Sequence, residues 1–366
     1  MKLHIFNPEH DLSLAFGKES FTPPHAAREL RSNMGYLPAL WAEKGDVVLV
    51  NDVEYAIKAS QRFKNHVADV LFLSWEDLKK APASMTCSFS AIEPWGWDDA
   101  LRTRLRKSDI AEDLLPTPEN MAAIRQLSNR RTSMTLLQDI HAAMPSREII
   151  GESCYCTSHD DIDHVLKTWK TIVLKAPWSS SGRGVRYVTA ETLTPSVEGW
   201  IARTLEQQQG VLAEPYYNKV KDFGMEFMAH EDGSIEYLGL SLFHTLNSTY
   251  VGNLLASENE KQEIMQKYAP QSLLHQIVNV LTSAMSEKVR GVYSGPFGID
   301  MMVVAKDEQG FYIHPCVELN LRRTMGHVAL SLTPPHGSPQ QLMRIIHDVN
   351  YQLRLTSVEN NFVNVI

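Results

Sequence analysis

Cysteine is scarce in this chain, with four in 366 residues. That is too few to staple a fold of this length, so a disulfide scaffold is excluded and reduced thiols are expected. Long apolar runs are missing too. No stretch of 18 apolar residues occurs, which argues against a transmembrane helix and against membrane partners. The opening MKLHIFNPEHDLSLAF has polar residues where a secretory leader would be continuously apolar, so none is expected. Positive charge is in short supply: 35 Lys and Arg stand against 43 Asp and Glu, a formal net charge of −8. A general nucleic-acid binder would be basic, so that class is set aside. A local basic pocket for a nucleotide stays open. There are no internal repeats, and the one low-complexity run is QQQ at 207–209. What remains is a cytoplasmic globular protein, 43% apolar, long enough for two or three packed units.

Four short apolar runs open the chain: KLHIFN (2–7), DVVLVN (46–51), VLFLSW (70–75) and SFSAIEPW (88–95). They alternate with helical stretches, among them 23–45, which Pro opens and Gly closes. Strands apolar on both faces imply a parallel sheet covered on both sides. Residues 1–115 are therefore expected to form a doubly wound α/β domain whose functional edge is the loops after the strand C-termini. The first such loop, 7–15, crowds Asn7, Glu9, His10 and Asp11. It reads either as a turn with Asp11 as N-cap or as a substrate-binding loop. His10 and Asp11 are adjacent, a spacing at which side chains seldom face each other.

Pro116 and Pro118 mark a linker, and 114–145 reads as two helices joined by a Ser-Asn turn. A strand and an acidic-headed helix follow within 146–170. Cys154 and Cys156 with His159 make a zinc site conceivable, but the C-x-x-C spacing is missing. From 171 the pattern turns to long strands and tight turns, the mark of an α+β unit. Asp232-Gly233 closes a hairpin over 221–243 and KDEQG one over 296–323. The stretch 243–256 is expected to be a polar loop near an acceptor, with His244, Asn247, Tyr250 and Asn253 as candidates. The stretch 338–355 is expected to be a closing amphipathic helix.

Two stretches carry chemistry. In VLKAPWSSSGRGVRYV (173–188) a strand with Lys175 runs into a donor-rich loop. Lysine precedes the glycines, so this is not a Walker loop. The alternatives are a surface hairpin or a clamp in which Lys175 and the backbone of Ser180, Ser181, Gly182, Arg183 and Gly184 hold nucleotide phosphates. In HPCVELNLR, alternation puts Ile313, Val317, Leu319 and Leu321 on one face. It puts His314, Cys316, Glu318, Asn320 and Arg322 on the other. GIDMMVV carries the lone acid Asp300, which comes near Glu318 if the two strands pair. Asp300, Glu318 and Asn320 are oxygen donors suited to Mg²⁺, and Arg322 to a phosphoryl group.

Taken together, VLKAPWSSSGRGV, VLAEPYY, GIDMMVV and VELNLRR resemble, in order and spacing, the motifs of the ATP-grasp superfamily over about 116–330. The resemblance implies an N-terminal α/β domain and an ATP-grasp module of two α+β subdomains, a lid over 116–220 and a C-terminal subdomain over 221–366. It implies ATP and Mg²⁺ as cofactors. Lys175 would meet the α/β phosphates, and Ser180–Gly184 would form the phosphate loop. Glu214 with the backbone through Tyr217 would be the adenine hinge, and Asp222 the ribose acid. Asp300, Glu318 and Asn320 would be the metal ligands, and Arg322 the arginine beside the transferred phosphate. Where the family commonly has a second lysine, this chain offers Arg130 or Arg131. Leu321 stands where Pro is usual.

Such enzymes commonly join a small-molecule or peptide carboxylate to an amine through an acyl phosphate, and a homodimer is compatible with the resemblance. The alternatives are a kinase acting on a small-molecule hydroxyl, with the same phosphate and metal groups, and a non-catalytic nucleotide-binding regulatory module. The last predicts a degraded ligand set, whereas Lys175, Asp300, Glu318, Asn320 and Arg322 are all present.

Overall fold

The computed structural model describes residues 1–179, 184–246, 249–307 and 309–358. Ser180, Ser181, Gly182, Arg183 and Asn247 lie outside the described residues.

The four N-terminal apolar runs form β1 (Lys2–Ile5), β2 (Val47–Val50), β3 (Leu71–Ser74) and β4 (Ala91–Pro94), a parallel sheet in the order β3-β2-β1-β4. Leu3, Ile5, Val47 and Leu49 enter one hydrophobic cluster, while Val48 and Val50 enter another. Both faces are thus covered, which is why β2 is apolar throughout. Strand order reverses between β1 and β4, the place where such sheets open a crevice at their C-terminal edge. In the stretch 23–45 helix holds only over His25–Met34, and a short 3₁₀ turn follows at Leu37–Leu40. Gly35 and Pro38 interrupt the continuous helix that was expected.

A second sheet of four strands has the order β5-β8-β6-β7, with β5 Cys154–Cys156, β6 Thr171–Lys175, β7 Val185–Thr189 and β8 Val211–Pro215. The helices His159–Trp169 and Pro195–Gln208 supply Ile162, Val165, Leu166 and Ile201 to its core.

The third sheet has seven strands. They are β9 (Lys219–Ala229), β10 (Ile235–Leu246), β11 (Thr249–Leu255), β12 (Gly295–Ala305), β13 (Phe311–Asn320), β14 (Gln341–His347) and β15 (Tyr351–Ser357). Their order is β13-β12-β9-β10-β11-β14-β15, antiparallel throughout. Phe223, Phe227, Phe297 and Ile299 on this sheet share one core with Ile277, Leu281 and Met285 of the helix Gln271–Val289. Among the described residues no helix is long and apolar enough to cross a membrane.

Two further expectations fail here. The stretch 338–355 is not a helix but the β14–β15 hairpin, turning at 348–350. Its spacing of Leu342, Met343, Ile345 and Leu353 also suits strands, and pairing of β14 with β11 decides the outcome. Of the stretch 243–256, expected to be a loop, residues 243–246 instead end β10 and 249–255 form β11.

Candidate functional site

The β12–β13 hairpin builds the centre of the site. Asp300 pairs directly with Glu318 and Gly298 with Asn320. The Asn320 amide donates to Asp300 Oδ2 at 3.1 Å, and Arg322 donates to Asn320 Oδ1 at 3.0 Å. Pairing then shifts between Asp300 and Met302, so that Met302 meets His314. This bulge breaks simple alternation. Cys316 is buried in the core cluster, within reach of the charges of Glu214, Lys175, Asp300 and Glu318.

Two carboxylates held side by side repel. Burial, then the charges of Glu318 and of Glu226 on β9, push the Asp300 carboxyl up to about 8. Glu226 was not anticipated, although its signal matches that of Asp300: a single acid in the apolar segment FGMEFMA (223–229). Its Oε2 accepts from Thr324 Oγ1 at 2.9 Å and lies 3.0 Å from His327 Nδ1. A Cβ at Gly298 or Gly326 would collide with its carboxylate, so both positions need glycine.

Cations approach from the second sheet and from the helix Arg130–Ala143. Asn129 caps that helix, accepting from the Arg131 N–H at 2.8 Å. Ser133 on it accepts from the Leu319 N–H at 2.9 Å, which fixes the helix against β13. Arg130 is buried. It donates to Glu318 Oε1 at 2.7 Å and to the Ala176 carbonyl and Ser179 Oγ, both at 2.6 Å. Arg131 packs on the Tyr155 ring instead. Lys175, at the end of β6, is buried with its Nζ 2.7 Å from both oxygens of Glu214 and 3.5 Å from the Val317 carbonyl. The Ala176 N–H donates to the Gly184 carbonyl at 2.8 Å and so closes the base of the loop that follows.

The hinge candidates are near but otherwise engaged. The Glu214 carboxylate belongs to Lys175. The Tyr217 hydroxyl accepts from the Glu152 N–H at 2.9 Å, and its ring meets His314 edge-on. Asp222 accepts from Lys219 Nζ at 2.7 Å and from Thr245 Oγ1 at 2.5 Å.

A cavity of about 320 Å³ adjoins the acids, and Asp11, Glu226, Asp300, Glu318, Asn320 and Arg322 all line it. Of the 243–256 candidates, Tyr250 and Asn253 reach it and His244 does not. Tyr250 donates to Asn253 Oδ1 at 2.5 Å, and Asn253 donates to Ser241 Oγ at 2.8 Å. Asp11 arrives from the N-terminal loop. It is not an N-cap: the helix His10–Phe16 begins after Glu9, with no side-chain cap. Asp11 and its neighbour His10 do meet, Nδ1 to Oδ1 at 3.2 Å, despite their adjacency.

Among the described residues no group of three or more His, Cys, Asp or Glu forms a ready metal site. At the acid pair the third donor is the Asn320 amide. Two carboxylates and an amide fit Mg²⁺, which takes few protein ligands and completes its shell with water and phosphate oxygens. Cys154 and Cys156 are free thiols on β5.

No protein-family model matches the chain, and no curated protein matches it by sequence. Solved structures do. The biotin carboxylase domain of Hydrogenobacter thermophilus 2-oxoglutarate carboxylase, solved with MgADP, ADP and bicarbonate, superposes with a TM-score of 0.54. Identity is 13% over 94% of this chain and 74% of that one. Biotin carboxylase from Campylobacter jejuni gives 0.51 at 13% identity, over 94% and 75%. An ATP-grasp superfamily protein from Archaeoglobus fulgidus gives 0.47 at 11%, over 98% and 100%. These are likenesses of fold.

Proposed function

We propose that this chain, whose fold is like that of two biotin carboxylases, is an ATP-grasp enzyme: an ATP- and Mg²⁺-dependent ligase joining a small carboxylate to an amine through an acyl phosphate. In this reading residues 1–115 present the substrate-side loop, while 116–220 and 221–366 hold the nucleotide between them. The observation that carries the reading is the Asp300–Glu318 pair, with the buried cation Arg130 bonded to Glu318, the buried Lys175 close by, and a cavity that both acids line.

Asp300, Glu318 and the Asn320 amide oxygen would hold Mg²⁺. When bound, it neutralises charge on the phosphate oxygens. Arg130 and Lys175 bring fixed positive charge to the phosphates, with the loop 180–184 as its backbone complement. Glu214 and Tyr217 would border the adenine, and Asp222 the ribose. Arg322, anchored by Asp11 and Asn320, supports the phosphoryl group as it moves to the substrate carboxylate. Tyr250, Asn253 and Ser241 orient the acceptor, and Glu226 takes the proton of the attacking amine. The substrates are small molecules, consistent with a cavity of about 320 Å³.

The test is ATP-dependent phosphate release across a panel of amino acids and small acids, with and without added amines, and with hydroxylamine as a trap. A hydroxamate and amine-dependent phosphate release are expected. Phosphate retained on a stable product would instead make the enzyme a kinase, and no ATP consumption with any acceptor would overturn the proposal.

A further inference from the structure

A second cavity, of about 300 Å³, lies at the C-terminal ends of β1, β2 and β3. Phe6 is common to its lining and to that of the acid cleft. Open α/β sheets bind ligands along this edge, yet the ATP reading assigns this cavity no occupant.

Its polar equipment is unusual. Glu9 is buried and accepts from Arg31 Nη1 through Oε1, but its Oε2 has no partner among the described residues. The Arg31 Nε–H is likewise buried without an acceptor. A buried polar atom left unpaired costs about 1–3 kcal/mol, so two side by side call for an explanation. Arg104, on the helix Asp99–Arg106, lays its guanidinium over the Trp75 indole, 3.6 Å from the ring centroid. Among the described residues no carboxylate lies within ion-pair distance of Arg104 or of Lys107 beside it. Partial burial and the facing Arg31 charge hold Arg104 down to about 10. Asp98 makes its hydrogen bonds to other partners. Its Oδ1 accepts from Ser13 Oγ at 2.8 Å and the Leu101 N–H at 3.0 Å, and its Oδ2 from Asn7 at 3.1 Å. The other lining acid, Glu19, is exposed.

We propose that this cavity binds a small zwitterion of the α-amino-acid class, its ammonium donating to Glu9 Oε2 and its carboxylate lying against Arg104 and Lys107. A simple anion would satisfy the cations and leave Glu9 Oε2 without a donor. A dicarboxylate would set a second negative charge against Glu9. Only a molecule carrying a donor and an anion together answers both halves. The site stands whether or not the ATP reading does.

Calorimetry on the full chain tests it, with the twenty standard amino acids as probes and glutarate and inorganic phosphate as comparisons. At least one amino acid is expected to bind, and to bind at least tenfold more weakly to Arg104→Ala and to Glu9→Gln, each checked for folding by circular dichroism. Lys107→Ala serves in place of a variant that fails to fold. The proposal is overturned if no amino acid binds, if the folded variants bind as the parent does, or if glutarate or phosphate binds as tightly as the best amino acid.

Discussion

Arg322 and Asp11, 311 residues apart in the chain, form a forked ion pair: Nε to Oδ1 at 3.0 Å and Nη2 to Oδ2 at 2.8 Å. The pair ties the loop after β1 to the segment following β13, and so the parallel sheet to the acid cluster. Burial opposes ionisation of Asp11, but the Arg322 charge and the His10 hydrogen bond outweigh it and hold the carboxyl well below its ordinary range. A depressed carboxyl contributes stability that is complete above the ordinary value of about 4 and lost as pH falls below it. Asp11→Asn should therefore lower unfolding stability by about 1–3 kcal/mol at pH 7. Urea melts at pH 7 and pH 3 check this. The gap between parent and variant should shrink at the lower pH, and a constant gap would refute the linkage.

Glu318 serves two partners, Asp300 across the ladder and Arg130 from the helix. Glu318→Gln keeps the volume and removes the charge. The variant should fold, bind Mg²⁺ more weakly, and turn over at least ~10²-fold more slowly, as loss of a ligand at a metal-assisted phosphoryl transfer implies. Steady-state phosphate release against Mg²⁺ concentration measures both effects. Unaltered turnover would count against the acid pair as the metal site.

Much of this arrangement was legible because its physics is local. VVLV at β2, short and β-branched, reads as a strand buried on both faces, and the short connection between GIDMMVV and VELN limits how they pair, which brings Asp300 to Glu318. What escaped depends on distant partners or on broken periodicity. The register shift beyond Asp300, which sets Met302 opposite His314, could not be read from alternation. An apolar Val349, 80% exposed at the β14–β15 turn, joined two strands into what reads as one amphipathic run. Glu226 carried the same mark as Asp300, and no local pattern could pair Asp11 with Arg322 or Lys175 with Glu214.

Lys175 and Glu214 are both buried, so removing one strands the other. Lys175→Met should cost about 3–5 kcal/mol of stability. The double variant Lys175→Met with Glu214→Leu should recover most of that loss, since an apolar pair replaces an ion pair of similar volume. ATP affinity separates structure from function here. It should fall at least tenfold in both variants, and calorimetry showing parental affinity in the stabilised double variant would remove Lys175 from the phosphate site.

His314 is fully buried, and neither ring nitrogen has a hydrogen-bond partner among the described residues. Burial first, then the Lys175 and His141 charges, push it down to about 3. The unfolded chain takes up a proton near the ordinary value of about 6.5. The folded chain resists that proton until far lower pH. Stability is therefore whole above about 6.5 and declines as pH falls toward 3, by a few kcal/mol, because protons bind the unfolded state preferentially. His314→Leu removes both the titration and the unpaired ring atoms. It should be neutral to mildly stabilising at pH 7, and its stability should fall less steeply than the parent's between pH 6.5 and 4. Equal slopes in denaturant melts across that window would mean the imidazole is protonated inside the fold.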